Sequence, residues 1–166
     1  MTYEEWGNMM KKTFYIIILI VLISIMVLYY INYVNNYEVT EAKELNDKMI
    51  KIITENISAE NKIVLDLNKI TKFNWNKLYI VGPYTDLKIF CSKKGVKWSN
   101  SIITKIKYDD GVYLLLFVQD KKVIKYLDFS RRYGSFPEGG YDKGNSLFEI
   151  TKNKDYIDIN HLKEIK

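Results

Sequence analysis

The feature that most constrains this chain is the block from Phe14 to Ile31, FYIIILIVLISIMVLYYI, in which Ser24 is the only polar side chain. About 20 apolar residues, each rising 1.5 Å, are needed to cross the hydrocarbon layer of a bilayer. Thr13 at one end and Tyr33-Val34 at the other complete such a span, so residues 13–34 are expected to be a transmembrane anchor. Lys11 and Lys12 stand directly before the block, and the first basic residue after it is Lys43. The positive-inside rule then places residues 1–12 in the cytoplasm and residues 35–166 outside it. Trp6, Phe14 and Tyr15 on one side, with Tyr29, Tyr30 and Tyr33 on the other, supply rings suited to the two membrane interfaces.

A cleaved signal peptide would have a shorter apolar region ending in small residues. This block ends Tyr-Tyr-Ile-Asn-Tyr, so no cleavage is expected, and the anchor reads as a signal-anchor of a single-pass membrane protein. The only cysteine, Cys91, lies far beyond the block, which leaves no thiol there for lipidation. A buried core helix is the soluble alternative, but unbroken apolarity of this length is rare in one.

The remainder is the size of one modest domain. With a single cysteine there is no intramolecular disulfide, no redox pair and no zinc-ligand spacing, so stability must come from packing. An exported domain without disulfides fits the surface of a Gram-positive bacterium. The formal charge is +5, and because Glu4 and Glu5 offset Lys11 and Lys12 the outer part carries the same +5. That field favours anionic surfaces such as lipid head groups or wall polymers. Nucleic-acid binding is not expected, since it calls for a denser basic stripe than Lys93, Lys94 and Lys97 provide.

After a polar exit from Asn32 to Tyr37, Ala42, Leu45, Met49, Ile52 and Ile53 share one face of a helix. Thr40, Glu41 and Glu44 are read as its start, and the stretch Asn56 to Asn61 as its end. Strands are predicted at Ile63 to Leu67 and Leu78 to Val81, with a turn-like Asn68 to Asn76 between them. Thr85 or Asp86 can cap a short helix whose Leu87, Phe90 and Cys91 face inward, with Gly95 just past its end. An antiparallel meander follows from Ser101 to Tyr108, Gly111 to Val118 and Val123 to Phe129. A long loop leads to a strand at Leu147 to Thr151, and Tyr156 to Ile159 adds an edge segment. The fold class expected is therefore α+β: one N-terminal transmembrane helix, then a helix packed on a curved antiparallel β-sheet.

No nucleophile elbow, histidine-rich metal signature or phosphate-cradling glycine loop is present, so no enzyme activity, metal or cofactor is expected. Asp109-Asp110 before Gly111 reads as a turn rather than a cation site. Cys91 lacks an adjacent base, the only histidine being His161, and reads as a core residue. The segment Ser130 to Ser146 carries four glycines and is the candidate partner-binding loop, through Arg131, Arg132, Tyr133, Phe136, Glu138 and Tyr141. Arginine with aromatic rings suits an anionic or protein surface. The competing reading is an ordinary solvated hairpin extension.

The stretch Phe73-Asn74-Trp75-Asn76-Lys77-Leu78-Tyr79-Ile80-Val81-Gly82-Pro83-Tyr84-Thr85 resembles a motif of uncharacterised bacterial exported lipoproteins and single-span surface proteins, which carry aspartates beside the tryptophan. Here Asn74 and Asn76 replace them, keeping hydrogen bonding but not charge. DGVYLLLFVQDKKVIKYLDF also resembles that family's paired strands, so the likeness extends from Ile63 to Phe129. It implies an exported, tethered domain and no reaction. Physically, Trp75, Tyr79, Gly82, Pro83 and Tyr84 read as structural, with Trp75 and Tyr84 plugging the end of a sheet and Gly82-Pro83 fixing a turn.

These readings converge on a membrane-tethered extracytoplasmic binding module, of the immunity or inhibitor type, acting on a protein partner just outside the cytoplasmic membrane. A structural or regulatory subunit of a membrane complex is the alternative, and an enzyme on wall or lipid substrates the third. The anchor offers no small-xxx-small pattern, which weakens the second. The oligomeric state is left open by the sequence.

Overall fold

The structure is a computed structural model and describes residues 3–37, 39–57, 62–97, 99, 102–153 and 156–162. It forms two compact units, Met1–Glu38 and Val39–Lys166.

The first unit is one helix, α1 (Tyr3–Tyr37). Its 22-residue stretch Met10–Ile31 is long and apolar enough to cross a membrane, and none of that stretch is buried inside the protein. A soluble core helix would hide one face; this stretch hides none. Ser24 returns its hydroxyl to the carbonyl of Ile20 at 2.8 Å, so the one polar side chain of the run is satisfied within the helix. The polar exit expected at Asn32 to Tyr37 continues the helix rather than leaving it.

The second unit is α+β and, among the described residues, holds two sheets. Its elements are β1 (Thr40–Glu41), α2 (Lys43–Asn56), β2 (Lys62–Asp66), α3 (Leu67–Ile70), β3 (Lys77–Val81), α4 (Leu87–Lys93), β4 (Val112–Gln119), β5 (Lys122–Ser130), β6 (Gly139–Asp142), β7 (Leu147–Lys152) and β8 (Ile157–His161). A five-stranded sheet runs β1-β5-β4-β3-β6, and a three-stranded sheet runs β2-β7-β8. The larger sheet is mixed, not purely antiparallel, because β1 lies parallel to β5 while its other pairs are antiparallel.

β4 is the centre of this unit. Its residues from Val112 to Val118 are all buried, and alternate side chains serve two different cores. Tyr113, Leu115 and Phe117 join Leu78, Ile80, Leu127 and Phe129, the α2 residues Leu45, Met49 and Ile53, and the smaller sheet's Leu65, Phe148, Ile150 and Ile159. Leu114, Leu116 and Val118 join Tyr79, Val81, Leu87, Cys91, Ile106 and Tyr126 on the other face. One-faced packing of a helix on a sheet is thus too simple a description, since apolar layers cover both faces. A bulge between Phe117 and Val118 lets Val123 pair with Val118 while Lys125 pairs with Phe117. The extra residue, Ile124, resets the alternation, so Val123 and Tyr126 reach the same core despite their odd spacing. Asp120 and Lys121, at φ 49° and 62°, form the two-residue connection, as the twist of a tight hairpin requires.

Three local expectations are corrected. Thr40 and Glu41 do not start α2; they pair with Lys125 and Tyr126 as β1, and the helix begins after Ala42, which gives no side-chain cap. The strand expected from Ser101 to Tyr108 is absent over its described part, residues 102–108. There the Asp128 carboxylate accepts the Thr104 hydroxyl at 2.5 Å and the Lys105 N–H at 3.0 Å, and Tyr108 N–H returns to Lys105 at 2.9 Å, which curls the chain into a turn. Ile102 and Ile106 enter the core from this turn. The segment Ser130 to Ser146 is not an open loop, because β6 pairs with β3 within it. Ser101 itself and Ser58 to Asn61, the latter read as part of the end of α2, lie outside the described residues.

Elsewhere local chemistry acts as expected. Asp86 accepts the Ile89 N–H at 3.0 Å and caps α4, and Gly95 follows that helix at φ 64°. Asp109 accepts the Gly111 N–H at 2.7 Å, a turn-forming bond.

Candidate functional site

The sequence places six contact residues between Arg131 and Tyr141, and the fold distributes them over three places. Arg131, Arg132 and Tyr133 form one 3-10 turn at the end of β5. The turn is held from both sides. Arg131 N–H donates to Gly111 O at 2.8 Å, and Gly134 N–H donates to Arg131 O at 3.0 Å. Gly134 has φ 132°, and a Cβ there would stand 2.7 Å from Ile159 Cδ1, so only glycine lets the chain pass this close to β8.

The two guanidinium groups of the turn are exposed but already positioned. Arg131 donates from Nη1 to Asp110 O at 3.0 Å and lies 5.3 Å from the Tyr113 ring centre. Arg132 stacks on Tyr133 at 4.5 Å, with Nη2 donating to its hydroxyl. Tyr133 in turn leans on Phe129. Fixing these long side chains beforehand removes part of the entropy they would lose on binding.

Phe136 is 2% exposed and sits edge-on to Phe129 and Phe148 at 5.0 and 5.2 Å, which makes it a core residue and withdraws it from any contact surface. Tyr141 is half-buried against Phe148 and His161, with its hydroxyl donating to Pro137 O at 2.9 Å. Burial raises its phenol above the ordinary range. Glu138 is exposed elsewhere, its carboxylate lying where a Cβ on Gly82 would be.

The motif residues divide in a similar way. Trp75 is buried, donates from Nε1 to Thr71 Oγ1 at 2.9 Å and meets Phe117 edge-on at 5.3 Å. Tyr79 is buried against Phe90 at 5.7 Å, Gly82 is buried, and Pro83 is half-buried. Tyr84 does not plug the sheet: it is 66% exposed, at φ 59°, and only its backbone is engaged, donating to Ile106 O at 2.7 Å. Asn76 Nδ2 faces Asp120 Oδ1 at 3.5 Å. An aspartate at 76 would oppose that carboxylate with like charge, which gives the amide here a physical reason.

Among the described residues the remaining titratable groups do not converge. Asp128 is occupied by Thr104 and Lys105, Glu149 pairs with Lys62, and His161 Nε2 lies 3.0 Å from Asn145 O. Cys91 is 1% exposed, and desolvation pushes its thiol from 9.0 up to about 11. The unfolded thiol ionises from about pH 9, whereas the folded one keeps its proton to about 11. Its contribution, on the order of 2 kcal/mol, is therefore present below pH 9 and lost as pH climbs toward 11. Urea titrations at pH 8 and pH 11 are expected to show a larger loss for the native chain than for Cys91→Ala.

A cleft of about 420 Å³ opens beside the start of α2, and none of Asp128, Glu138, Glu149 or His161 lines it. Lys43, Lys48, Lys72 and Lys125 stand around it with Glu41 and Glu44, over Leu45, Ile70 and Phe73. Sequence reasoning misses this site because its residues come from three distant segments.

Comparison with protein-family models, with curated proteins and with solved structures returns no match.

Proposed function

We propose that this chain is a single-span, membrane-tethered binding module. In this reading residues 13–34 cross the cytoplasmic membrane, residues 1–12 remain in the cytoplasm, and residues 35–166 form an extracytoplasmic domain that engages a protein partner, as an immunity or inhibitor protein does. The observation that carries it is α1, whose 22-residue apolar stretch is wholly unburied by the rest of the chain. Left in water, each such side chain forgoes roughly 1.5 to 3 kcal/mol of transfer free energy, and a bilayer supplies that burial. The resemblance of the Phe73 to Thr85 motif to exported surface proteins agrees with this placement.

The contact surface we assign is the turn Arg131-Arg132-Tyr133, because it presents two exposed, pre-positioned guanidinium groups beside aromatic rings. Arginine and tyrosine of this kind supply a large share of protein interface energy. The subunit alternative has less support: Ser24 spends its donor on its own helix and leaves no polar side chain in the run for a neighbouring span.

A photo-crosslinking residue replacing Arg132 in native membranes is expected to yield one discrete adduct. Arg131→Ala with Tyr133→Ala should lower recovery of that partner about tenfold or more, in line with hot-spot truncation. Absence of any discrete adduct, together with unchanged toxin sensitivity after deletion of the gene, would overturn the proposal.

A further inference from the structure

The cleft beside α2 carries more positive charge than the carboxylates on its rim offset. Lys48 and Lys72 are exposed and Lys125 is half-buried, and all three line the cleft. Among the described residues no carboxylate lies within ion-pair distance of these three, whereas Glu41, on the same rim, is taken up by Lys43 at 3.7 Å. Lys125 Nζ does contact Thr40 Oγ1, which holds its ammonium group against β1 rather than letting it sweep through solvent. Glu44 is the other carboxylate on the rim, so four ammonium groups face two acids.

Bringing several like charges to one concavity raises the free energy of the empty site and makes it attractive to an anion. Beneath the charges the floor is apolar, formed by Leu45, Ile70 and Phe73. A small inorganic anion would leave that floor unused. A cleft of this kind fits a ligand with a compact anionic head and an apolar or glycerol-like body. Lysine meets a phosphate as a point charge, without the forked geometry that a carboxylate draws from arginine.

We infer that this cleft is a binding site for a phosphate ester, its charge met by Lys48, Lys72 and Lys125 and its body resting on Leu45, Ile70 and Phe73. The inference concerns a different surface from the Arg131 turn and stands whether or not a protein partner binds there. Two sources carry the same chemistry: the head group of an anionic phospholipid, and a soluble glycerol phosphate.

Native mass spectrometry of the full chain released from neutral detergent micelles separates them. The probes are phosphatidylglycerol, phosphatidylcholine and glycerol 1-phosphate, applied to the native chain, to Lys48→Gln/Lys72→Gln, and to a control of equal charge loss, Lys88→Gln/Lys94→Gln on and just after α4. Lys48, Lys72, Lys88 and Lys94 are all exposed, so both double variants change surface charge. The native chain and the control should bind phosphatidylglycerol in preference to phosphatidylcholine, and the cleft variant should bind it about tenfold more weakly, as loss of charge-assisted contacts requires. Glycerol 1-phosphate binding with the same dependence on Lys48 and Lys72 would make the soluble ester a ligand of the same site. Its failure beside a positive lipid result would assign the site to the lipid. Equal loss in both double variants would reduce the effect to bulk charge and overturn the inference, as would absence of binding by both phosphate probes.

Discussion

Phe117→Ala is expected to lower the unfolding free energy by about 4 to 5 kcal/mol, the upper end of the range for a phenylalanine removed from a packed core. The side chain is 0% exposed on the central strand β4. Phe73 and Trp75 both meet it edge-on, at 5.1 and 5.3 Å, and each such ring pair adds roughly 0.5 to 1.5 kcal/mol beyond area burial. Collapse cannot refill the space readily, because Phe117 sits directly before the bulge that sets the register of β5. Against a total stability of roughly 5 to 15 kcal/mol, the loss approaches the limit of folding. Phe117→Leu should be milder, at about 1 to 2 kcal/mol. Tyr84→Gly, at an exposed position with φ 59°, should cost nothing or stabilise slightly. Denaturant titration of the full chain in detergent measures all three. A Phe117→Ala loss below about 1.5 kcal/mol would mean that the two aromatic contacts do not organise this core.

What the sequence disclosed depended on how local each determinant is. α2 is announced by Leu45, Met49 and Ile53 at helical spacing, and β3, β4 and β5 by apolar runs that turn chemistry bounds; all four elements form, the three strands within a residue of the expected bounds and α2 starting later than Thr40 and Glu41 suggested. The short helix α4 follows from Asp86 and Gly95, two residues whose backbone chemistry is self-contained. By contrast β1 is two residues long and exists only because β5, distant in sequence, offers it a parallel edge. β6 reads Gly-Gly-Tyr-Asp and has no apolar alternation; it is a strand because β3 has an open edge and because Gly140 admits the Tyr79 ring, 2.9 Å from where its Cβ would be. The residues Thr104 to Tyr108 alternate like a strand, but Asp128 binds Thr104 and Lys105 and a turn prevails.

The same distinction governs the contact surfaces. Arg131, Arg132 and Tyr133 are consecutive, so their convergence was legible, whereas the burial of Phe136 depends on Phe129 and Phe148 from separate strands. The uninterrupted apolar run from Val112 to Val118 carried a hint of layers on both faces, since a strand with one wet face alternates. The lysine cleft gave no such hint, because Lys48, Lys72 and Lys125 are neighbours only through the fold.

The tether reading makes an all-or-none prediction at the two ends of the chain. Lys11 and Lys12 precede the apolar stretch and no basic residue follows it until Lys43, so the charge bias favours residues 1–12 inside and Val39–Lys166 outside. Cys91 makes the test clean, because it is 1% exposed with its thiol pushed up to about 11, and is therefore silent toward maleimides in the folded chain. New thiols at Asn8→Cys and at the exposed site Lys152→Cys then report the two sides separately. With a membrane-impermeant maleimide on intact cells, Lys152→Cys should be labelled at once and Asn8→Cys only after permeabilisation, both in the membrane fraction and at full length. The reversed pattern, a shortened chain, or recovery in the soluble fraction would contradict the account.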